Sequence, residues 1–409
     1  MRVFCRIDWA ETHHDVAVVD AEGRLLARRR IRDDAAGYQQ LLQLLAEAGD
    51  TATEPIPVAI ETSRGLLVAF LRATGRRVYA INPLAVSRYR DRHGVAGAKS
   101  DHADAVVLAG ILRTDAATHR PLLADSELVQ AIAVLARAQQ DAVWSRQQLA
   151  MKLRSLLREF FPAALAAFHR KHVGLTAPEA RAVLAAAPTP TQAASLTTAQ
   201  LRRLLRCAGR QRNLDAWTKR LRASFHADQP RQLPLVEQAM GQQVLALLAQ
   251  LQAACQAADD LAEATVAQFR RHPDYQIITS FPGLGELIGA RVLAELGDDR
   301  SRFADARGVK AYAGAAPLTR ASGKRLQVLA RKVKNQRLAA VGYVWAFAAL
   351  TASPGARAHY DRRKHAGDRH AAAQRNLFNR LLGMLHHCLA TRQTYSEAKA
   401  FPAPEALAA

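Results

Sequence analysis

The chain lacks most of what would mark a membrane, secreted or nucleotide-driven protein. No run of about 18 apolar residues occurs, and the N-terminal stretch MRVFCRIDWAE has no signal-peptide core. The expected location is therefore the cytoplasm, with no membrane partner. Cysteine is scarce: Cys5, Cys207, Cys255 and Cys388 stand far apart, without a CxxC pair. That spacing excludes a disulfide framework and a zinc finger, and it reads as reduced thiols. No P-loop is present, which argues against ATP-driven work. Acid is also in deficit, with 36 Asp plus Glu against 57 Lys plus Arg, a formal charge of +21 and a pI near 10.6. Such an excess calls for a polyanionic partner. With the membrane set aside, that partner is nucleic acid.

What is present is enough for several cores. A chain of 409 residues, 49% of them hydrophobic, is expected to form two or three domains. VFCRID (3–8), DVAVVD (15–20) and RLLARRRI (24–31) are short apolar-leaning runs, with DAEG (20–23) as the turn between the last two. They predict a β-meander. IPVAIE (56–61) and RVYAIN (77–82) are further strands, and 33–49 and 64–74 carry helical spacing. The pattern is that of a mixed α/β domain. From 126 to 161 apolar residues recur at helical spacing, and 235–271 reads as one helix of about 55 Å. A helix that long needs a partner, in a coiled coil or an antiparallel hairpin. From Pro273 onward the chain reads as mainly helical, with a very basic loop.

Carboxylates supply the first candidate site. Asp8 and Glu61 each end a predicted strand, and Asp101 and Asp104 lie at i and i+3 on one helix face. Four carboxylates at one sheet rim would repel unless divalent cations neutralised them. Oxygen ligands of this kind suit Mg²⁺ or Mn²⁺, and a pair of such ions serves in-line phosphoryl displacement. A helix cap at Asp101 with Asp104 in solvent is the plainer alternative. His102 points off that face and reads as neighbouring surface, and the adjacent His386 and His387 read as helix residues.

The second candidate is PLTRASGKRLQVLARKVKNQR (317–337), with seven basic residues and no acid from Arg320 to Arg337. Ser322 precedes the flexible Gly323 and sits among Arg320, Lys324 and Arg325. Cations of that density can activate a hydroxyl against a phosphodiester, or simply grip phosphate. Arg331, Lys332 and Lys334 extend the expected nucleic-acid contact, and Lys99 adds to it ahead of the acidic helix. FPGLGELIGARVL (281–293) resembles a helix–hairpin–helix element, whose glycine turn can offer N–H groups to phosphate. A purely structural hairpin fits it equally well. LRRLLRCAGRQRNLDAWTKRLR (201–222) holds eight Lys or Arg and one acid, reading as a nucleic-acid contact or a solvated face.

Taken together, RIDWAETHHDVAVVD, VAIETSRG, INPLAVSRYR and AKSDHADAVVLAGIL resemble the RuvC-like DEDD domain of the insertion-sequence one-ten family of transposases. ITSFPGLGELIGARVLAELGD, FADARGVKAYAGAAPLTRASGK and HYDRRKHAGDRHAAAQRNLFNRLL resemble that family's C-terminal transposase domain. The resemblance covers about two thirds of the chain, at both ends and in the family's order. It implies an RNase H/RuvC-like α/β domain over 1–160, a helical coiled-coil connector over 161–272, and a mainly α-helical C-terminal domain over 273–409. It implies a DEDD set of Asp8, Glu61, Asp101 and Asp104 and a catalytic serine at Ser322. The partners it implies are donor and target DNA, a non-coding bridge RNA, and further copies of the chain as a dimer or tetramer. Where the family commonly has Gly before the Ile-Asp of the first strand, this sequence has Arg6, a cation beside Asp8. The reading is an RNA-guided transposase. Its rivals are a RuvC-type junction-resolving nuclease and a non-catalytic nucleic-acid-binding protein.

Overall fold

A computed structural model describes residues 2–81, 111–113, 119, 121–122, 124–169, 174–322 and 325–402. The chain falls into two compact units, 1–124 and 125–409.

In the first unit, side chains along the opening strands alternate between the two faces of a sheet. β1 (Phe4–Trp9), β2 (His13–Val19) and β3 (Leu25–Arg32) form the expected antiparallel meander. Asp20 closes its second turn: Oδ1 accepts the backbone N–H groups of Glu22 (3.0 Å) and Arg24 (2.8 Å). β4 (Val58–Ile60) adds in parallel to the free edge of β1 and β5 (Val78–Ala80) to β4, giving the order β3-β2-β1-β4-β5. α1 (Ala35–Glu47), capped by Asp34 on Gly37 N, and α2 (Leu66–Ala73) cover one face. Leu41, Leu45, Leu67 and Leu71 pack there on Cys5, Ile7, Val58 and Ile60. Each such Leu or Ile contributes roughly 2 kcal/mol by leaving water. Burial also pushes the Cys5 thiol up to about 12, so it is inert packing, and all four cysteines are free. The opposite face buries Ala59, Tyr79 and Ile81 under Ile111 and Leu112.

The second unit is built on two long helices, α3 (Glu127–Phe160) and, after five shorter ones, α9 (Pro234–Phe269). The five between are α4 (Pro162–Ala167), α5 (Pro178–Ala186), α6 (Pro190–Ser195), α7 (Thr198–Cys207) and α8 (Leu214–His226). The packing boundary near 124 thus lies ahead of α3, which the sequence division at 160 grouped with the first domain. α3 and α9 run antiparallel, as the bond from Gln139 Nε2 to the Ala258 carbonyl (3.2 Å) and the packing of Leu153 and Leu157 near Val244 and Leu248 require. The partner demanded by the long helix is therefore in the same chain, so its length is no argument for assembly. Residues 161–233 do more than connect: they close a core of Phe160, Phe161, Leu184, Leu205, Leu221 and Phe225 against the helix pair.

A second core gathers α10 (Tyr275–Thr279), α11 (Glu286–Leu296), α12 (Ala306–Tyr312), α13 (Gln336–Ala352), α14 (Pro354–His365), α15 (His370–Thr391) and α16 (Glu397–Ala400). Trp345 lies at its centre, between Phe281 and Phe378 and fully buried. Between α12 and α13 the expected basic loop is a hairpin of β6 (Leu318–Ser322) and β7 (Arg325–Leu329). Among the described residues, no single helix is long and apolar enough to cross a membrane.

The FPGLG turn between α10 and α11 is set by packing. Gly283 has φ +78°, and a Cβ on it would stand 2.6 Å from the Ala349 backbone nitrogen. Pro282 O accepts the Trp345 indole N–H at 3.0 Å, while Phe281 and Leu284 are buried. The glycine therefore answers to a left-handed backbone and to the close approach of α13. Gly283→Ala is expected to cost about 3 kcal/mol, summing backbone strain and overpacking. Urea denaturation measures it, and a loss below 1 kcal/mol would mean that α13 moves aside at little cost.

Candidate active site

Adjacent parallel strands bring two of the predicted carboxylates together. Ile7 pairs with Ile60 in the β1–β4 register, so Asp8 and Glu61 are the next residues along on neighbouring strands, where the β1–β4 pairing ends. The carboxyl ends of parallel strands are the usual place for a site in an open sheet. By alternation both stand on the face that carries Ala59, opposite the α1–α2 core. The Asp8 side chain is 42% exposed, open to a ligand. Asp101, Asp104, Lys99 and His102 lie outside the described residues. Among the described residues no group of three or more His, Cys, Asp or Glu is placed to share a metal ion.

Neighbouring charges decide which groups at this rim are available. Asp15 pairs with Asp8 across β1 and β2, but Arg30 donates to both its oxygens, at 3.1 and 2.7 Å. Those bonds hold the Asp15 carboxyl below the usual carboxylate range, so it is committed. Arg6 is buried, and its guanidinium lies 3.5 Å from Asp8 Oδ2. It shares a sheet face with Asp8 because the two are i and i+2. An Arg here offsets Asp8's charge in the absence of a cation, and would compete with one.

The serine occupies the other unit. Leu318↔Leu329 through Ser322↔Arg325 define the ribbon register, which places Ser322 and Arg325 at its closed end, joined by residues 323–324. All of β6 is exposed. Arg320, two residues back, stands on the same ribbon face as Ser322. Lys324 lies outside the described residues. On the return strand and beyond, Lys332 is exposed and Arg331 and Lys334 are half-buried. Arg337 is different. It pairs with both oxygens of Asp141 at 2.8 Å and so belongs to the scaffold.

What fixes the ribbon is a network with no sequence signature. Asn335 caps α13 by accepting the Leu338 N–H (2.8 Å), and its Nδ2 donates to Glu295 Oε2 and to the Tyr312 hydroxyl, both at 2.6 Å. Glu295 is buried and accepts two bonds from Arg137 on α3, at 2.8 and 3.1 Å. Arg302 donates to the Tyr312 hydroxyl (2.8 Å). Tyr312 ends the helix before the ribbon and Asn335 caps the helix after it, so the two legs are tied to each other and, through Asn335, to the buried Glu295. Arg137→Ala is expected to cost about 2–3 kcal/mol, because the buried Glu295 side chain would lose both guanidinium bonds and retain only the Asn335 amide. Chemical denaturation checks this, with Arg137→Lys restoring only part of the loss.

The other expected contacts are partly absorbed by structure. In 201–222, Trp217 sits between the guanidinium groups of Arg210 (4.2 Å) and Arg220 (4.3 Å). Arg210 pairs with Glu179 at 2.6 Å and Arg202 with Asp215 at 2.9 Å. Arg203, Arg206, Arg212 and Lys219 remain exposed and suited to phosphate. At the α10–α11 turn, Arg270 binds Glu286 through two bonds (2.6 and 2.7 Å) and Tyr275 through its hydroxyl adds a third (2.7 Å). Those partners hold the Glu286 carboxyl at about 2.

Comparison with known proteins assigns both ends of the chain to transposase families. A transposase family model of the DEDD IS110 type matches residues 5–162, and the model for the IS116/IS110/IS902 transposase family matches residues 275–361. The IS117 mini-circle protein of Streptomyces coelicolor is 64% identical over 401 residues, covering 98% of this chain and 97% of that one. The 44.8 kDa protein of insertion element IS116 from Streptomyces clavuligerus is 30% identical, over 97% of both chains. An IS900 protein of Mycobacterium paratuberculosis is 27% identical, over 97% of this chain and 98% of its own. The chain therefore belongs to the IS116/IS110/IS902 family of transposases, enzymes of insertion sequences that act on DNA.

Proposed function

We propose that this transposase cuts and rejoins DNA through Ser322, under the guidance of a bound bridge RNA, with a divalent cation held by Asp8, Glu61, Asp101 and Asp104. The observation that supports the reading is the Ile7–Ile60 register, which leaves Asp8 and Glu61 as the next residues on two adjacent parallel strands, in a chain whose family is of the DEDD type. Two oxygen-bearing side chains on one open rim fit a hard cation such as Mg²⁺ or Mn²⁺. When bound, the cation would neutralise charge on the phosphoryl group in transfer. Asp101 and Asp104 would complete the set from the helix that the sequence predicts, whose spacing puts Asp104 two turns ahead of the buried Ile111. The RNase H/RuvC-like assignment of residues 1–160 rests on the same arrangement, with 161–272 as connector and 273–409 as the serine-bearing domain.

Ser322 would act from the ribbon tip. Its Oγ forms a bond to phosphorus as the P–O bond to the departing strand breaks, and the proton serine loses is regained by the leaving oxygen. Attack by the hydroxyl of a second strand reverses these steps and frees the serine, so exchange needs no energy cofactor. Arg320, Lys324 and Arg325 would balance the charge of the crowded phosphorus, while Arg331, Lys332, Lys334 and Lys99 hold flanking phosphates. Serine and carboxylates lie in different units, and the reading has them meet between copies in a dimer or tetramer.

The test is to incubate the purified protein and its co-purifying RNA with Mg²⁺ and a DNA carrying sequences that RNA can pair with. A covalent protein–DNA adduct that survives denaturing electrophoresis is expected, and sequencing of the RNA should show complementarity to the cut DNA. Cutting without an adduct would favour a RuvC-type nuclease using metal-activated water. Binding without cutting would favour a non-catalytic role.

A further inference from the structure

The outer face of α3 has no part in the sites above, yet it carries the chemistry of a binding surface. Between Trp144 and Arg158 it presents Lys152, Arg154 and Arg158 to solvent and Arg146 half-buried. None of these four has an ion-pair partner among the described residues, whereas Arg137, Arg231 and Arg270 in the same unit are each matched by a Glu. Burial, and after it the like charge of Arg146, hold the Arg291 guanidinium below its ordinary value.

Apolar surface is interleaved with these cations. Trp144 is 38% exposed and Met151 63% exposed, in a helix whose inward side is already packed on α9. Two depressions share Met151 and Gln147. One, of about 480 Å³, is lined by Arg146, Arg154, Leu165, Phe168 and His169. The other, of about 590 Å³, is lined by Trp144, Gln148, Lys152 and Ser155. The track spans about 21 Å from Trp144 to Arg158 at the helical rise. At its upper end Arg337, in the first turn of α13, stacks over Trp144 at 5.1 Å.

We propose that this face is a docking track for an unpaired polynucleotide strand. Arg146, Lys152, Arg154 and Arg158 would take phosphates, Trp144 would stack a base, and the cleft floored by Phe168 and Leu165 would receive another. Unpaired matters here: a duplex hides its base faces and would leave the ring and the apolar floor unused, whereas single strands offer them. The glutamines give donors and acceptors to base edges. The proposal rests on the family's action on nucleic acid, and not on Ser322 or the carboxylates.

Full-length protein, freed of nucleic acid and kept without Mg²⁺, would be titrated with labelled single-stranded RNA, single-stranded DNA and duplex DNA of equal length. Omitting Mg²⁺ separates strand binding from the adduct test. Arg154→Glu with Arg158→Glu should weaken single strands at least tenfold and the duplex less than threefold, while the charge-matched control Arg307→Glu with Lys399→Glu does neither. Trp144→Ala should lose about fivefold or more for single strands, the value of one stacked base, with Trp144→Phe restoring most of it. The two single-stranded arms show whether RNA or DNA is preferred. Equal losses for single strand and duplex, or no loss, would overturn the proposal. So would a Trp144→Ala or Met151→Glu variant that changed the oligomeric state by light scattering instead of strand affinity, since the face would then join copies of the chain.

Discussion

Ser322→Ala should abolish the covalent protein–DNA adduct and reduce strand exchange below about 10⁻³ of the wild-type rate, as expected when a nucleophile is removed from a unit that acts together. Folding and DNA affinity should survive, because Ser322 is exposed at the ribbon tip and supports no core residue. Ser322→Cys should keep a trace of adduct, since a thiolate attacks but suits phosphorus less well than an alkoxide. Gel analysis of end-labelled DNA after denaturation reads both adduct and exchange. Wild-type exchange by the Ala variant would leave the chemistry to the carboxylates and water.

Asp8→Asn and Glu61→Gln should each lower cutting by about 10³-fold, on the order of the several kcal/mol that a metal ion contributes to phosphoryl transfer. A neutral amide is a poor ligand for a hard cation, yet it also repels phosphate less. DNA affinity should therefore hold or rise slightly while the rate falls. Raising Mg²⁺ or Mn²⁺ should rescue part of the loss. Arg6→Gly provides the companion measurement: with the buried guanidinium gone from 3.5 Å beside Asp8, less cation should be needed for half-maximal cutting. An Asp8→Asn protein that cuts normally at low Mg²⁺ would remove that carboxylate from the site.

Much of the first unit was legible because its strands alternate and its turns are local. DAEG closes through Asp20 and residues two and four positions on, and Asp8 and Glu61 fall within one residue of the ends of β1 and β4. The ribbon was missed as a strand pair because seven cations and a Ser-Gly read as an irregular loop. Its first strand alternates Leu318, Arg320, Ser322 against Thr319, Ala321, and with every residue of β6 exposed no apolar face marks that strand. The partner of α9 was also hidden, since Gln139 meets Ala258 across 119 residues. Glu295 was invisible for a similar reason. Its partners Arg137 and Asn335 lie 158 and 40 residues away, and a lone Glu in a helix pattern carries no signal of burial. The glycines of FPGLG were visible, but which demand they served depended on where α13 would pass.

The antiparallel pair of α3 and α9 also sets how the larger unit comes apart. One end of the pair, through Val129, Ile132 and Phe269, is built into the core around Trp345, and the other, through Leu153, Leu157 and Leu248, into the core around Phe161. Neither core keeps its walls if the pair separates, so neither can melt alone without exposing the apolar stripe of a helix the other still needs. Two hydrophobic cores that share their longest members lose their independence. Residues 125–409 should accordingly unfold in a single cooperative step, with local opening confined to exposed segments such as the ribbon.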